Sequence, residues 1–252
     1  MDKERIVNAF YSYASAYDVS NPKIKVKIDH TLKVAKQAEQ IAENIGADAD
    51  LAWLCGMLHD IGRFEQLRRY DTFVDDKSID HAALSCELLF KDGLIERFVT
   101  DDIRTDLLET AIRYHSLYRL PQNLSDEEQM YCQILRDADK LDIFRAICDT
   151  PLTELYGFSM DELKTSEVSE EVRECFDRHS AVLKSMWRTP ADIWAAHICL
   201  YFELVYPISR EIAHEQGYLE QLLRFESDHP ATATWFKHVR ETVCMKGTAG
   251  SI

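Results

Sequence analysis

The sequence predicts an all-α protein. Only 8 glycines and 6 prolines occur among 252 residues, so helix-breaking positions are scarce. Apolar residues recur every three to four positions over long stretches, which is the period of an amphipathic helix, whereas alternating runs typical of strands are few. No strand is needed to explain the pattern.

The first strong helix pattern covers residues 23–45, where apolar side chains form one stripe and Gly46 follows as a helix stop. A second helix, at about 48–60, carries leucines on one side and is expected to end at Gly62. The dipeptide His59-Asp60 therefore falls in the last turn of this second helix.

Three further helices are predicted in the middle of the chain. Ser78 is expected to be the N-cap of a helix that stops near Gly93, and Thr100 the N-cap of the next. Ser125 and Glu128 form a capping-box pattern, which indicates the start of a fifth helix.

Four more helices are predicted towards the C-terminus, at about 169–187, 190–206, 207–224 and 231–244. This part of the chain contains no comparable set of metal-ligating side chains. We therefore expect a single domain, residues 1–252, with a metal-binding core at about 22–147 and a C-terminal helical extension at about 150–246.

The composition limits the expected partners. The formal net charge is −15 and the pI is near 5.0, so the surface repels phosphate backbones and no nucleic-acid polymer is expected. The chain has no run of about 18 or more apolar residues and no signal-peptide core, so we expect no membrane partner and a cytoplasmic location. Seven cysteines without a Cys-x-x-Cys pair indicate reduced thiols.

An aromatic segment near the amino terminus, Phe10 to Tyr13 with Tyr17, has helical spacing. Such residues are expected in the core or in a subunit contact more often than at a substrate entrance. A homodimer is therefore left open.

The dipeptide His59-Asp60 is the most informative feature of the chain, because two metal-ligating side chains lie side by side in an otherwise apolar segment. Burying a carboxylate beside an imidazole is costly unless both are paired, and a bound cation suits both. Further metal-ligating residues occur within or beside apolar stretches: His30, His81, His115 and Asp139.

This order of residues over successive helices resembles the HD-domain superfamily of metal-dependent phosphohydrolases, over roughly residues 22 to 147. The resemblance implies that the metal ligands are His30, His59, Asp60 and Asp139. Asp139 is favoured over Asp137 and Asp142 because the last aspartate of the family usually precedes a basic residue and a leucine. The segments 61–66 and 80–82 resemble an uncharacterised HD-domain hydrolase subfamily. This resemblance implies the scaffold but does not indicate the substrate.

Imidazoles and carboxylates without thiolates suit a divalent metal such as Mn, Fe, Co, Ni or Zn. Positions left open by the protein ligands admit water and substrate, and a metal can lower the pKa of bound water to about 7. In this interpretation, Asp60 and the metal position and deprotonate the water.

His81 and His115 leave the number of ions open at one or two. In some branches of the superfamily, two extra histidines hold a second metal with the central aspartate bridging, and the resemblance implies His81 and His115 for that role. The alternative is that both contact the substrate phosphate around a single metal. Arg63 either binds phosphate or forms a salt bridge with Glu65 or another acidic neighbour. The candidate catalytic residues are Asp60, Arg63, His81 and His115.

The function expected is that of a metal-dependent phosphohydrolase acting on a nucleotide or another small phosphoester. The chain lacks the Gly-Tyr-Pro signature of the cyclic-dinucleotide branch and the acid spacing of the guanosine-polyphosphate hydrolases, so neither substrate is favoured. The alternatives are a di-iron oxygenase of the same superfamily and a metal-containing regulatory module that binds a ligand. The intact ligand set argues against the regulatory module.

Overall fold

The computed structural model describes residues 1–99 and 103–248, with side chains up to residue 243. Within these residues every regular element is a helix, so the all-α prediction is confirmed. The chain forms two compact units, Met1–Asp139 and Lys140–Ile252. The arrangement expected from the sequence, one domain made of a core and a C-terminal extension, stays a prediction.

Among its described residues, the first unit contains six α-helices and the beginning of a seventh. They are α1 (Lys3–Ala14), α2 (Pro22–Ile45), α3 (Ala49–Leu58), α4 (Ile61–Tyr70), α5 (His81–Cys86), α6 (Thr105–Tyr114) and α7 (Asp126–Asp149). Helix α3 packs against α2 and α6, while α5 packs against α4 and α6. These contacts bring the ends of α3, α5 and α6 towards the middle of α2.

Helix α2 has the bounds that its local sequence predicts. The Asn21 side chain accepts a hydrogen bond from the Lys23 backbone, and Gly46 ends the helix in the left-handed conformation, with φ 75°. Its apolar stripe lies against α3 at very short range, since a Cβ on Gly56 would lie 2.5 Å from Cα of Ala35. Glycine at position 56 therefore allows the two helices to pack closely.

The second predicted helix differs from the structure at its C-terminal end. Helix α3 ends at Leu58, and Asp60 adopts φ −106° and ψ 17° before α4 begins at Ile61. Gly62 lies inside α4 and does not terminate a helix. A Cβ at this position would lie 2.7 Å from the His81 carbonyl oxygen and 2.8 Å from Oγ of Ser85, so the glycine permits the close approach of α5.

Helix α5 also begins later than predicted. Asp80, and not Ser78, is its N-cap, with Oδ1 accepting hydrogen bonds from the backbone of Ala82 at 2.9 Å and of Ala83 at 3.1 Å. Ser78 instead belongs to the loop before α5, where its hydroxyl donates to the Val74 carbonyl at 2.8 Å. An aspartate directly before the first helical turn is the better cap, because its charge also favours the helix N-terminus.

The next two helix starts were predicted at Thr100 and Ser125. Thr100 lies outside the described residues, and α6 begins at Thr105. The capping box at Ser125 is confirmed, because its backbone donates to the Glu128 carboxylate at 2.8 Å and the Glu128 backbone donates to its hydroxyl at 3.3 Å.

In the part of the second unit that the structure describes, the remainder of α7 is followed by seven shorter α-helices. They are α8 (Leu152–Leu155), α9 (Met160–Thr165), α10 (Glu170–Asp177), α11 (Pro190–Cys199), α12 (Pro207–Gln216), α13 (Tyr218–Leu223) and α14 (Pro230–Thr248). The helix predicted at 169–187 ends at Asp177, and the one predicted at 207–224 is divided at Gly217, which has φ 75°. None of the helices in the described part of the chain is both long and apolar enough to cross a membrane.

Candidate metal centre

The structure brings all the candidate ligands together in the first unit. They are His30 in α2, His59 and Asp60 at the junction of α3 and α4, His81 at the start of α5, His115 at the end of α6, and Asp139 in α7. The four imidazoles and Asp60 are at most 4% exposed, and the Asp139 side chain is 20% exposed. Their roles as ligands stay predictions, but their convergence is a property of the fold.

One carboxylate oxygen of Asp60 faces the first pair of histidines. Its Oδ2 lies 3.7 Å from Nε2 of His30 and 3.6 Å from Nε2 of His59. Asp139 closes this side, with Oδ1 at 3.1 Å from the same His30 nitrogen and 3.9 Å from that of His59. Four donor side chains thus surround one small volume.

The other oxygen of Asp60 faces the second pair. Its Oδ1 lies 3.5 Å from Nε2 of His81 and 3.9 Å from Nε2 of His115. The two histidine nitrogens are 3.1 Å apart. Asp60 therefore stands between two groups of donors, and each of its oxygens belongs to one group.

Two cationic side chains flank the same carboxylate. Nζ of Lys27 lies 2.6 Å from Oδ2 of Asp60, and Nε of Arg63 lies 3.5 Å from Oδ1. The sequence interpretation missed Lys27. The available signal was its spacing, because Lys27 precedes His30 by three residues in α2 and so shares its face.

The backbone orients two of the imidazoles. Nδ1 of His59 lies 2.7 Å from the Gly56 carbonyl oxygen, and Nδ1 of His115 lies 2.7 Å from the Ile112 carbonyl oxygen. A carbonyl can only accept, so both Nδ1 atoms carry the proton and, in a neutral ring, both Nε2 atoms are free lone pairs. Nε2 of His59 is buried and has no hydrogen-bond partner among the described residues.

The electrostatic environment keeps His59, His81 and His115 neutral and the two carboxylates charged. Burial lowers the pKa of His81 and of His115 to about 4. Burial alone would raise the pKa of Asp60, but Lys27 holds it well below its usual value. For Asp139, a hydrogen bond from His30 likewise outweighs burial and lowers the pKa. Neutral imidazoles and ionised carboxylates are the forms that bind metal.

These features fit a divalent cation. A buried imidazole nitrogen without a partner is costly, and Nε2 of His59 points into a group of anionic and neutral donors. Imidazole and carboxylate together suit Zn and the neighbouring first-row metals. Among the described residues, three sets of three candidate donors have ligand atoms mutually within 4.8 Å, and two of them share Asp60: His30, His59 and Asp60, and Asp60, His81 and His115. The third set is Asp75, Asp80 and His81.

Arg63 is anchored beside this centre by the loop that precedes α5. Its Nη1 donates to Oδ1 of Asp75 at 2.8 Å, to the Phe73 carbonyl at 2.7 Å and to Oε1 of Gln66 at 2.8 Å. Its acidic neighbours are thus Asp75 and Asp60, while Glu65 pairs with Arg68 at 2.7 Å. Phosphate binding by Arg63 stays a prediction.

Asp142, which lies near Asp139 in the sequence, has different surroundings. Asp142, three residues later and in the second unit, is fully buried and forms a two-pronged ion pair with Arg145 at 2.7 and 2.9 Å. Its carboxylate is therefore occupied by a guanidinium, whereas that of Asp139 faces two imidazoles. This difference agrees with the choice of Asp139 as the candidate ligand.

Comparison with known proteins agrees with the geometry of the site. Residues 28–143 match the family model of the HD domain, and this segment includes every candidate ligand. Searches of curated proteins and of solved structures gave no match to the chain. Residues 28–143 are therefore similar to the HD domain, the domain of a superfamily of metal-dependent hydrolases.

Proposed function

We propose that this protein is a metal-dependent phosphohydrolase that binds two divalent cations and hydrolyses a phosphoester of a nucleotide or another small metabolite. The observation that carries the proposal is the position of Asp60, whose two oxygens face different pairs of histidines. A carboxylate placed between two donor groups is suited to bridge two ions.

The first cation would be held by four side chains: His30, His59, Asp139 and Oδ2 of Asp60. The second would be held by His81, His115 and Oδ1 of Asp60. When bound, Mn, Fe, Co, Ni or Zn supplies a Lewis acid and a water whose pKa falls to about 7 in favourable sites. The protein contributes a largely buried, pre-oriented donor set, in which burial keeps His81 and His115 neutral at pH 7.

The substrate phosphate requires positive charge near the ions, although the chain as a whole is acidic, at −15. Lys27 and Arg63 supply it locally, since both lie beside Asp60 with side chains 18% and 10% exposed. Their ammonium and guanidinium groups suit a small phosphorylated substrate. Cytoplasmic location, the lack of nucleic-acid and membrane partners, and a possible homodimer remain expectations.

Turnover without oxygen tests the proposed chemistry. Metal-free protein loaded with Mn or Co should release phosphate from a panel of nucleotides and sugar phosphates under strict anaerobiosis, because hydrolysis involves no redox change. The same donor set of four histidines and two aspartates also permits a di-iron oxygenase. Activity confined to iron-loaded protein in air, with oxygen uptake that matches product, would replace the proposal by that alternative.

A further inference from the structure

Asp75 connects His81 to helix α4. Its Oδ2 lies 2.6 Å from Nδ1 of His81, while its Oδ1 accepts hydrogen bonds from Nη1 of Arg63 at 2.8 Å and from Nε2 of Gln66 at 2.9 Å. Each oxygen of Asp75 therefore has its own partners, and the oxygen beside His81 is not shared with the other two groups.

The loop that carries Asp75 is held in place by buried side chains of α4. Gln66 is fully buried, and its Nε2 also lies 2.8 Å from Oγ of Ser78 and 2.9 Å from the Ile79 carbonyl oxygen. Arg63, 8% exposed, donates to the Phe73 carbonyl at 2.7 Å. These contacts leave the Asp75 carboxylate little freedom to rotate.

The Asp75 contact decides which nitrogen of His81 carries the proton. An ionised carboxylate only accepts hydrogen bonds, so Nδ1 of His81 is the donor and Nε2 is a lone pair. That Nε2 lies 3.1 Å from Nε2 of His115, which is also a lone pair because Nδ1 of His115 faces the Ile112 carbonyl. With its proton on Nε2, His81 would instead donate to His115, and this hydrogen bond would block both nitrogens.

We propose that Asp75 is a positioning residue for the second cation. It keeps the proton of His81 on Nδ1, and so keeps Nε2 of His81 and Nε2 of His115 available as two donors. The role of the cation rests on the proposed function, whereas the position of the proton is a property of the protein itself and can be measured without metal.

The substitution Asp75→Asn gives a directional test. Arg63 and Gln66 are donors and will hold the amide oxygen, so the amide NH₂ will face His81. Because an NH₂ group donates, Nδ1 of His81 must then accept, and the proton moves to Nε2. The control is Asp76→Asn, an exposed neighbour in the same short turn, Asp75–Lys77.

Nitrogen-15 NMR of histidine-labelled, metal-free protein at pH 7 reads the tautomer. We expect His81 to be protonated at Nδ1 in the parent protein and in the Asp76→Asn variant, and at Nε2 in the Asp75→Asn variant. His59 and His115 are internal references, because backbone carbonyls keep their Nδ1 protonated in all three proteins. A parent spectrum with His81 protonated at Nε2 overturns the inference without any variant.

Equilibrium dialysis against Zn²⁺ then measures how the substitution changes cation binding. Loss of an oriented carboxylate beside a ligating histidine typically weakens metal binding by about 10- to 100-fold. Asp75→Asn should therefore weaken binding of the second ion by that factor and leave binding of the first ion unchanged. An unchanged tautomer or unchanged Zn²⁺ binding in this variant overturns the inference. A parent protein that binds no cation would instead refute the proposed function. The spectra of the metal-free proteins would still show whether Asp75 sets the tautomer of His81, so the two failures can be distinguished.

Discussion

Nζ of Lys27 lies 2.6 Å from Oδ2 of Asp60, the carboxylate oxygen that faces His30 and His59. The Lys27 ammonium thus pairs with a carboxylate oxygen that would bind a metal cation in the proposed function. Lys27 also lies over the Phe73 ring, 5.6 Å from its centre, where Arg63 lies at 5.8 Å. The two cationic groups therefore meet at one aromatic side chain beside the centre.

Lys27→Met should strengthen metal binding and weaken substrate binding. Removing an ammonium next to Asp60 removes repulsion of the cation, so we expect the metal Kd to fall by roughly tenfold, which corresponds to about 1.4 kcal/mol. KM for a phosphorylated substrate should rise, because a phosphate partner is lost. The matched control is Lys25→Met, an exposed lysine of the same helix. An unchanged KM would mean that Lys27 pairs with Asp60 but does not bind the substrate.

Asp60→Ala should abolish both bound metal and turnover and leave the helical content nearly unchanged. Asp60 stands at the N-terminus of α4 but makes no capping hydrogen bond there, so the substitution removes a ligand and not a cap. Metal analysis and far-UV circular dichroism are the measurements. Stoichiometric metal and full activity in the variant would show that the site is assigned wrongly.

The double variant His81→Ala, His115→Ala should lose one ion per chain and keep the other. The remaining donors, His30, His59 and Asp139, lie on the opposite side of Asp60. Elemental analysis decides between the two interpretations of these histidines. If they contact only the substrate phosphate, metal content will stay at the parent value while KM rises or kcat falls.

Acid should destabilise the second unit through His197. This side chain is buried, with Nδ1 facing the Ile193 carbonyl and Nε2 lying 2.9 Å from the Tyr156 hydroxyl oxygen, and burial lowers its pKa to about 4. The unfolded chain, with a pKa near 6.5, binds the proton more readily than the folded one. Stability is therefore complete above pH 6.5 and is lost as pH falls towards 4.

The size of this effect follows from the shift of the His197 pKa. Between pH 7 and pH 5 the free energy of unfolding should fall by about 2 kcal/mol on account of His197. Urea unfolding at the two pH values measures it. His197→Phe should reduce the pH dependence by that amount, whereas His238→Gln, at a histidine whose side chain is 55% exposed, should leave it intact. Equal pH dependence in the parent and the Phe variant would contradict this account.

Local sequence was enough to predict a structural feature wherever the groups that determine it lie within a few residues of one another. The start of α2 at Asn21-Pro22, its end at Gly46 and the capping box at Ser125 involve groups within one helical turn. The all-α class followed from periodicity, and the candidate ligands followed from the family resemblance that the order of the histidines and aspartates along the chain carries. Each of these is a property of near neighbours or of order alone.

Contacts between distant segments decided the rest. Gly62 reads locally as a helix stop, but the approach of α5 explains why a glycine lies inside α4. No pattern near Asp75 indicates its bond to His81, because that bond depends on how Arg63 and Gln66 hold the loop. Which oxygen of Asp60 faces which pair of histidines was likewise decided by packing, since a carboxylate has two equivalent oxygens until tertiary structure distinguishes them.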